Sequence, residues 1–325
     1  MRKVLSRALL GLVCAVTFCG VGFAQQGQGI PELGPIPDVR GFNDKINDPA
    51  AVAKINVVVR HVRGQVWVIA GAGGNVFVFA GPDGVMLIDT NFTAFYQPIL
   101  ADIRRISDKP IRFVISTHAH SDHVQNNANF AKQGAVVIAT PGLRDEMMHA
   151  TGANAVDQAG LPMITSAAPM TIHFNGEEVD FIPLKPAHTN GDGAVYIRGS
   201  NVFAFGDVYR NDYPSMGENG TTQNFIDNYT MAINMTNPQT LFLPGHGQVS
   251  PQSELVDIRN AVQTIHTRFV DMVAKGMTLQ QIIEARPSKE YDAHFSSEAQ
   301  SATTGNTVER WYGAMYKEAT KGAKQ

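Results

Sequence analysis

Four side chains able to ligate a metal fall within six positions, at His118, His120, Asp122 and His123, in the run Thr117-His118-Ala119-His120-Ser121-Asp122-His123. This run constrains the fold more than any other segment. Just before it, Ile111–Ser116 is an apolar stretch of strand length. Side chains of an extended segment alternate with period two, so His118 and His120 point to the same side. Asp122 and His123 lie where the chain begins to turn toward a helix, and they face a second point a few ångströms away. The segment therefore offers two adjacent cation positions, both incomplete. Other parts of the chain must bring further ligands to the same corner.

Three residues are candidates for that task. His188 sits in the polar turn Pro186-Ala187-His188-Thr189-Asn190-Gly191-Asp192. Asp207 ends the apolar strand that closes on Phe205-Gly206, and His246 lies in Leu243-Pro244-Gly245-His246-Gly247, just past another strand. All three occupy strand-to-loop transitions, where a rigid support can aim a functional side chain. Asn190 and Asp192 read as turn formers rather than ligands. His61, His149, His173, His266 and His294 are isolated and receive no role.

Around these positions the pattern changes along the chain. Ile55–Arg60, Gln65–Ala70, Asn75–Ala80 and Val85–Asp89 are short β signals separated by glycine turns, as in hairpins. Tyr96–Ser107, Asn126–Lys132, Leu143–His149 and Phe225–Met235 read as helices. Strands are expected at Ala135–Ala139, Met170–Phe174, Val179–Pro183, Ala194–Arg198, Val202–Phe205 and Thr240–Leu243. A long helix should start from Ser250 as cap and Pro251 as first residue, and end at Gly276. Thr278 and Gln281 have capping-box spacing, and Val308–Tyr316 should be a helix that docks Trp311. The order predicts an α/β fold of two packed sheets with helices outside. Gly71–Asn75 is either a mobile flap or an ordinary hairpin turn. Beyond Asp207, the Val208–Thr222 loop offers Arg210 to hold a substrate carboxylate and Tyr209 or Tyr213 to stabilise an oxyanion, or is a solvated loop.

The His-x-His-x-Asp-His run, the later His188, the Gly206-Asp207 pair and Gly245-His246-Gly247 match, in type and order, the ligand set of the metallo-β-lactamase superfamily. Gly84–Asp89 also resembles that family's early strand. The resemblance extends over roughly Val66 to Val249 and implies a four-layer αββα sandwich with the site at one edge of the two sheets. It implies that His118, His120 and His188 hold one Zn²⁺ and that Asp122, His123 and His246 hold a second, with Asp207 between them. Asp89 would support the ligand histidines from behind, and Asp122 would also serve catalysis. The implied activity is hydrolysis of an ester, lactone, thioester or amide carbonyl by hydroxide held between two metals, with no covalent intermediate. Two alternatives are a β-lactamase and a dioxygenase of the persulfide type with one Fe²⁺ at the three histidines. The motif resembles the cysteine-free β-lactamase subclass, but that subclass usually lacks the bridging aspartate. With Asp207 present, the set is closer to glyoxalase II-type thioesterases and lactonases.

Met1–Ala24 reads as a secretory signal peptide: Arg2, Lys3 and Arg7 open it, an apolar run follows from Ala8 to Phe23, and Gly22-Phe23-Ala24 suits a signal peptidase. Both cysteines, Cys14 and Cys19, leave with it, so a mature metal site must be built from His, Asp or Glu. Cleavage leaves 23 basic against 29 acidic residues, a net charge of −6. That balance argues against a nucleic-acid partner; the expected partner is a small-molecule substrate. The expected location is periplasmic or secreted, with no membrane attachment after cleavage. Gln25–Ala50, rich in Gln, Gly and Pro, reads as a flexible lead-in to a hydrolase domain spanning residues 51–325.

Overall fold

The computed structural model describes residues 30–34, 46, 48–71, 73–152, 155–295 and 307–321. The predicted leader Met1–Ala24, both cysteines and most of the lead-in lie outside the described residues. No helix among the described residues is long and apolar enough to cross a membrane.

Two mixed sheets form the centre. The first has seven strands in the order β1 (Val58–Arg63), β2 (Val66–Ala70), β3 (Val76–Gly81), β4 (Gly84–Ile88), β5 (Ile111–Ile115), β6 (Val136–Ala139) and β7 (Ile164–Thr165). The hairpins β1–β2, β2–β3 and β3–β4 are antiparallel, as the glycine turns predict. From β4 onward the pairing is parallel, because helices cross over between strands. The second sheet has six strands: β8 (Met170–Phe174), β9 (Glu177–Pro183), β10 (Gly193–Ile197), β11 (Val202–Gly206), β12 (Leu241–Pro244) and β13 (Ser250–Pro251). Within it, β11 and β12 are parallel neighbours.

The alternation along the strands sorts the core into layers. Val66 and Val68 of β2 face the second sheet, where they join Phe77, Phe79, Phe181, Val195 and Leu243 in one cluster. Trp67 and Ile69 of the same strand face the other way, against Phe95, Ile99, Ile103 and Ile106. Most of these belong to α2 (Tyr96–Ile106). On the far side, Phe203, Phe205 and Phe242 pack against α6 (Thr222–Met235), α7 (Gln252–Ala274) and α10 (Val308–Lys321). The result is the αββα sandwich. The shorter helices are α1 (Pro49–Val52), α3 (Ser121–Val124), α4 (Asn127–Ala131), α5 (Pro141–His149), α8 (Leu279–Ala285) and α9 (Asp292–Phe295).

Local signals held to different degrees. Thr278 and Gln281 form the capping box of α8. Gly276 adopts φ 78° and ends α7, with the amide of Met277 reaching back to the Met272 carbonyl. Trp311 is buried in α10 as expected. The predicted cap of α7 is not formed. Ser250 and Pro251 pair with β12 as a short strand, and the Ser250 hydroxyl is taken by Tyr209 at 2.6 Å. The helix therefore begins at Gln252 with no side-chain cap bond.

Candidate metal centre

The ligand candidates gather where parallel strands end. Asp89 follows β4, the 117–123 segment follows β5, Asp207 follows β11 and His246 follows β12. Parallel neighbours end on the same side, and crevices at such ends are where open α/β sheets hold ligands. His188 arrives from the β9–β10 turn. Asp192 builds that turn: it accepts the amides of Ala187, His188 and Thr189 and the Thr189 hydroxyl. It is the turn former that the sequence suggests.

Two groups of donors converge. In one, ligand atoms of His118, His120, His188 and Asp207 lie within 4.8 Å of one another; in the other, those of Asp122, His123 and His246 do. Asp207 reaches both. Its Oδ2 lies 3.4 Å from His188 Nε2, 4.0 Å from His118 Nε2 and 3.5 Å from His246 Nε2. Its Oδ1 lies 3.4 Å from His123 Nε2. Facing nitrogens complete the pattern, with His188 Nε2 2.9 Å from His120 Nδ1 and His123 Nε2 3.3 Å from His246 Nε2.

The opposite edges of the rings are tied down. Asp89 accepts His123 Nδ1 at 2.8 Å, together with the amide and hydroxyl of Thr117 at 2.7 Å each. Since the Thr117 hydroxyl gives its proton to Asp89, it accepts from His118 Nδ1 at 3.1 Å. His188 Nδ1 donates to the Ser215 carbonyl at 2.6 Å. In His118 and His188 Nε2 is thereby left as the lone-pair nitrogen aimed inward, and in His123 the bond to Asp89 leaves Nε2 as the nitrogen that faces the other ligand candidates. Asp89 also lies close to His118 and His123, but its oxygens are committed to these bonds and serve as support.

Glycines allow the crowding. A Cβ on Gly74 would meet His123 Cε1 at 2.3 Å, and one on Gly245 would meet Asp207 Oδ1 at 2.0 Å. The Gly74 amide bonds the Asp122 carbonyl, and the Asn75 side chain bonds the carbonyls of Pro244 and Gly247. Residues 73–75 thus form a tied wall of the site, within the connection between the antiparallel strands β2 and β3. The loop after Asp207 differs from both of its readings, since Val208, Tyr209, Asp212 and Tyr213 are buried and not solvated. Arg210 Nη1 donates to Asp207 Oδ2 at 3.0 Å, and its Nε lies 3.5 Å from Asp212 Oδ1. The Tyr209 hydroxyl pairs with Ser250, and that of Tyr213 donates to Asp292. These groups serve the chain's own packing instead of facing a substrate.

Electrostatics follow the geometry. Burial lowers the pKa of His118, His120 and His188, the last to about 3, so these rings are neutral donors at pH 7. For His123, burial also opposes charge, but Asp122, Asp207 and Asp89 outweigh it and raise the pKa. Burial works against ionised Asp122 and Asp207, yet His123 and His246 hold the first, and His246 and Arg210 the second, below the usual carboxylate range. His118 Nε2 and Asp207 Oδ1 are buried with no hydrogen-bond partner. Such orphaned atoms are rare and costly in an interior, and they aim at the space a cation would fill. The donor set of imidazoles and carboxylates fits Zn²⁺ and other divalent ions.

The sequence profile of the Metallo-beta-lactamase superfamily matches residues 70–246, more than half of the chain. The chain belongs to that superfamily. Among characterised relatives, the 2,4-dinitroanisole O-demethylase subunit alpha of Nocardioides sp. (strain JS1661) is 25% identical over 200 residues, 57% of this chain and 56% of that protein. The stereoselective inverting sec-alkylsulfatase Pisa1 from Pseudomonas sp. superposes with a TM-score of 0.56 at 17% identity, over 80% of this chain and 54% of that one. The metallo-beta-lactamase from Pontibacter korlensis gives a TM-score of 0.55 at 16% identity, over 64% and 99%. At these identities the structural likeness is one of fold. The chain spans about half the length of the demethylase subunit and of the alkylsulfatase. Members of the superfamily are mostly hydrolases, and both donor groups of this member lie inside the matched range.

Sequence reasoning brought forward all seven candidate ligands and Asp89. It gave no role to Thr117, although that residue adjoins the first histidine. It singled out the Gly71–Asn75 segment without giving Gly74 or Asn75 a contact of its own, and it missed Ser215. Ser215 contributes only a backbone carbonyl, for which no residue type is a signal.

Proposed function

We propose that the chain is a hydrolase working with two zinc ions, His118, His120 and His188 at one, Asp122, His123 and His246 at the other, and Asp207 joining them. The observation that carries this reading is the Asp207 carboxylate, within 4.0 Å of histidine nitrogens from both groups. Bound there, the ions would supply Lewis acidity, acidifying water and polarising the group under attack. The chain's own contributions are orientation and charge. Asp89 and Thr117 set the tautomers of His123 and His118, and Ser215 sets that of His188. Asp122, kept ionised by its histidine neighbours, is the carboxylate we assign to accept a hydrogen bond from the attacking water. Arg210 holds Asp207 in place from the side.

The substrate is an ester, lactone, thioester or amide on this reading. The names of the relatives widen the panel to aryl methyl ethers and alkyl sulfates, and the fold keeps β-lactams in it. The separate Asp122–His123–His246 group favours two ions over a single Fe²⁺ at the three histidines, which would leave that group idle. Elemental analysis separates the two: about two zinc per chain, against one iron. The activity test is a screen of the purified protein with nitrocefin, lactones, aryl esters and alkyl sulfates, beside His120→Ala. Turnover should fall by about 10²-fold or more in the variant; undiminished turnover there would remove the site from the reaction. We also propose export directed by Met1–Ala24. Intact mass of the protein from a periplasmic fraction should begin at Gln25, and a full-length chain confined to the cytoplasm would refute this.

A further inference from the structure

The superfamily match ends at residue 246, and α7 to α10 lie beyond it. The last of these helices nevertheless reach back to the loop between β11 and α6, beside the metal centre. That loop supplies the Ser215 carbonyl, which accepts His188 Nδ1 at 2.6 Å. A carbonyl oxygen only accepts, so this bond keeps a proton on Nδ1 and fixes the direction of the ring. Whatever holds Ser215 in place therefore governs which nitrogen His188 presents to the other donors.

The loop is pinned on both sides of Ser215. After it, the chain lies flat on the β9–β10 turn. The Gly217 amide donates to the Ala187 carbonyl at 3.1 Å, and a Cβ on Gly217 would strike the His188 carbonyl. Two residues before it stands Tyr213, which is buried. The Tyr213 hydroxyl donates to Asp292 Oδ1 at 2.8 Å, and its ring stacks on Trp311 of α10, with centroids 5.5 Å apart and planes 22° from parallel. Where the loop runs into α6, Trp311 Nε1 donates to the Thr222 hydroxyl at 3.3 Å.

Asp292 is itself anchored from several directions. Its Oδ1 also accepts the Ser288 hydroxyl at 2.7 Å, and its Oδ2 accepts Arg286 Nε at 2.6 Å. The fully buried Ser288 in turn accepts the Tyr312 hydroxyl of α10 at 2.7 Å. A polar network from the end of α8, from α9 and from α10 thus closes on one tyrosine of the loop.

We propose that Tyr213 is a positioning residue for His188, so that the C-terminal helices set the direction of a ring in the metal centre. The effect passes through the backbone: Asp292 and Trp311 fix Tyr213, Tyr213 fixes the approach to Ser215, and the Ser215 carbonyl fixes His188. Its bearing on metal binding rests on the reading of His188 as a ligand, whereas its bearing on the ring itself does not.

Tyr213→Phe removes the hydroxyl and keeps the stacking ring. Long-range proton–nitrogen correlation spectra of the metal-free protein at pH 7 should show His188 as the Nδ1–H tautomer in the unmutated chain, and a measurable Nε2–H population in the variant. By chelator competition, zinc affinity should fall about three- to tenfold in Tyr213→Phe, with no further fall when the change is made in His188→Ala. Ile282→Val, at a fully buried apolar position of α8, separates positioning from stability: it should lower the melting temperature and leave the His188 spectrum unchanged. A His188 spectrum unaltered by Tyr213→Phe, the same alteration in Ile282→Val, or an equal loss of affinity in the His188→Ala background would each overturn the proposal. A protein that binds no zinc would refute the metal-centre reading, and the spectrum would then decide the role of Tyr213 alone.

Discussion

Asp89 adopts a left-handed backbone conformation, φ 61°, which costs a residue with a side chain about 1 kcal/mol. In return its carboxylate meets three donors at once, two from Thr117 and one from His123. Asp89→Ala should release the His123 tautomer and lower metal affinity by roughly ten- to hundredfold. Chelator competition measures this, and an unchanged affinity would show that the bonds do not orient the ring. Gly74 is tested by the opposite operation, adding an atom. Its Cβ would lie 2.3 Å from His123, so Gly74→Ala should displace that ring. On the two-zinc reading, the variant should keep its circular dichroism and lose about one zinc per chain by elemental analysis. At this scale the sequence was most legible where function demands a rare residue type. Histidine and aspartate at strand ends announce themselves. The glycine of a wall and the carbonyl of Ser215 do not, because what matters there is space or backbone.

Elements were legible where periodicity is strong. The glycine-separated strands β2 to β4 follow directly from pattern, β1 begins at Val58 and not at Ile55 as the pattern suggests, and β7 and β13 are two residues each and too short to show one. Ser250 illustrates a tertiary contact overriding a local preference, since Tyr209 claims the hydroxyl that would have capped α7. At the end of α8, Arg286 takes φ 47° and is held by Asp292 and Glu309. Burial alone would raise the pKa of Asp292, but Ser288, Arg286 and Tyr213 outweigh it and lower the value. A carboxylate with a lowered folded-state pKa stabilises the fold above its unfolded pKa, near ~4. That contribution is lost as pH falls through the lower folded value. Asp292→Asn should therefore reduce the melting temperature at pH 7, and the gap from the unmutated protein should close as pH falls through the lowered folded-state value. A gap that persisted at low pH would assign the loss to packing.

At the scale of the molecule, the two sheets converge so that β4, β5, β11 and β12 end at one corner, and the sequence reading anticipated both the sandwich and that corner. Spacing alone could not show that Asp207 stands between the groups, or that Arg210 presses on it. Both depend on how the second sheet sits against the first. The measurement that bears most directly on the account is zinc titration of the metal-free protein, with elemental analysis after gel filtration, for the unmutated chain, Asp122→Ala and His188→Ala. We predict about two zinc per chain, falling by about one in each variant. A protein that retains no zinc, or whose zinc content is the same in all three samples, would contradict it.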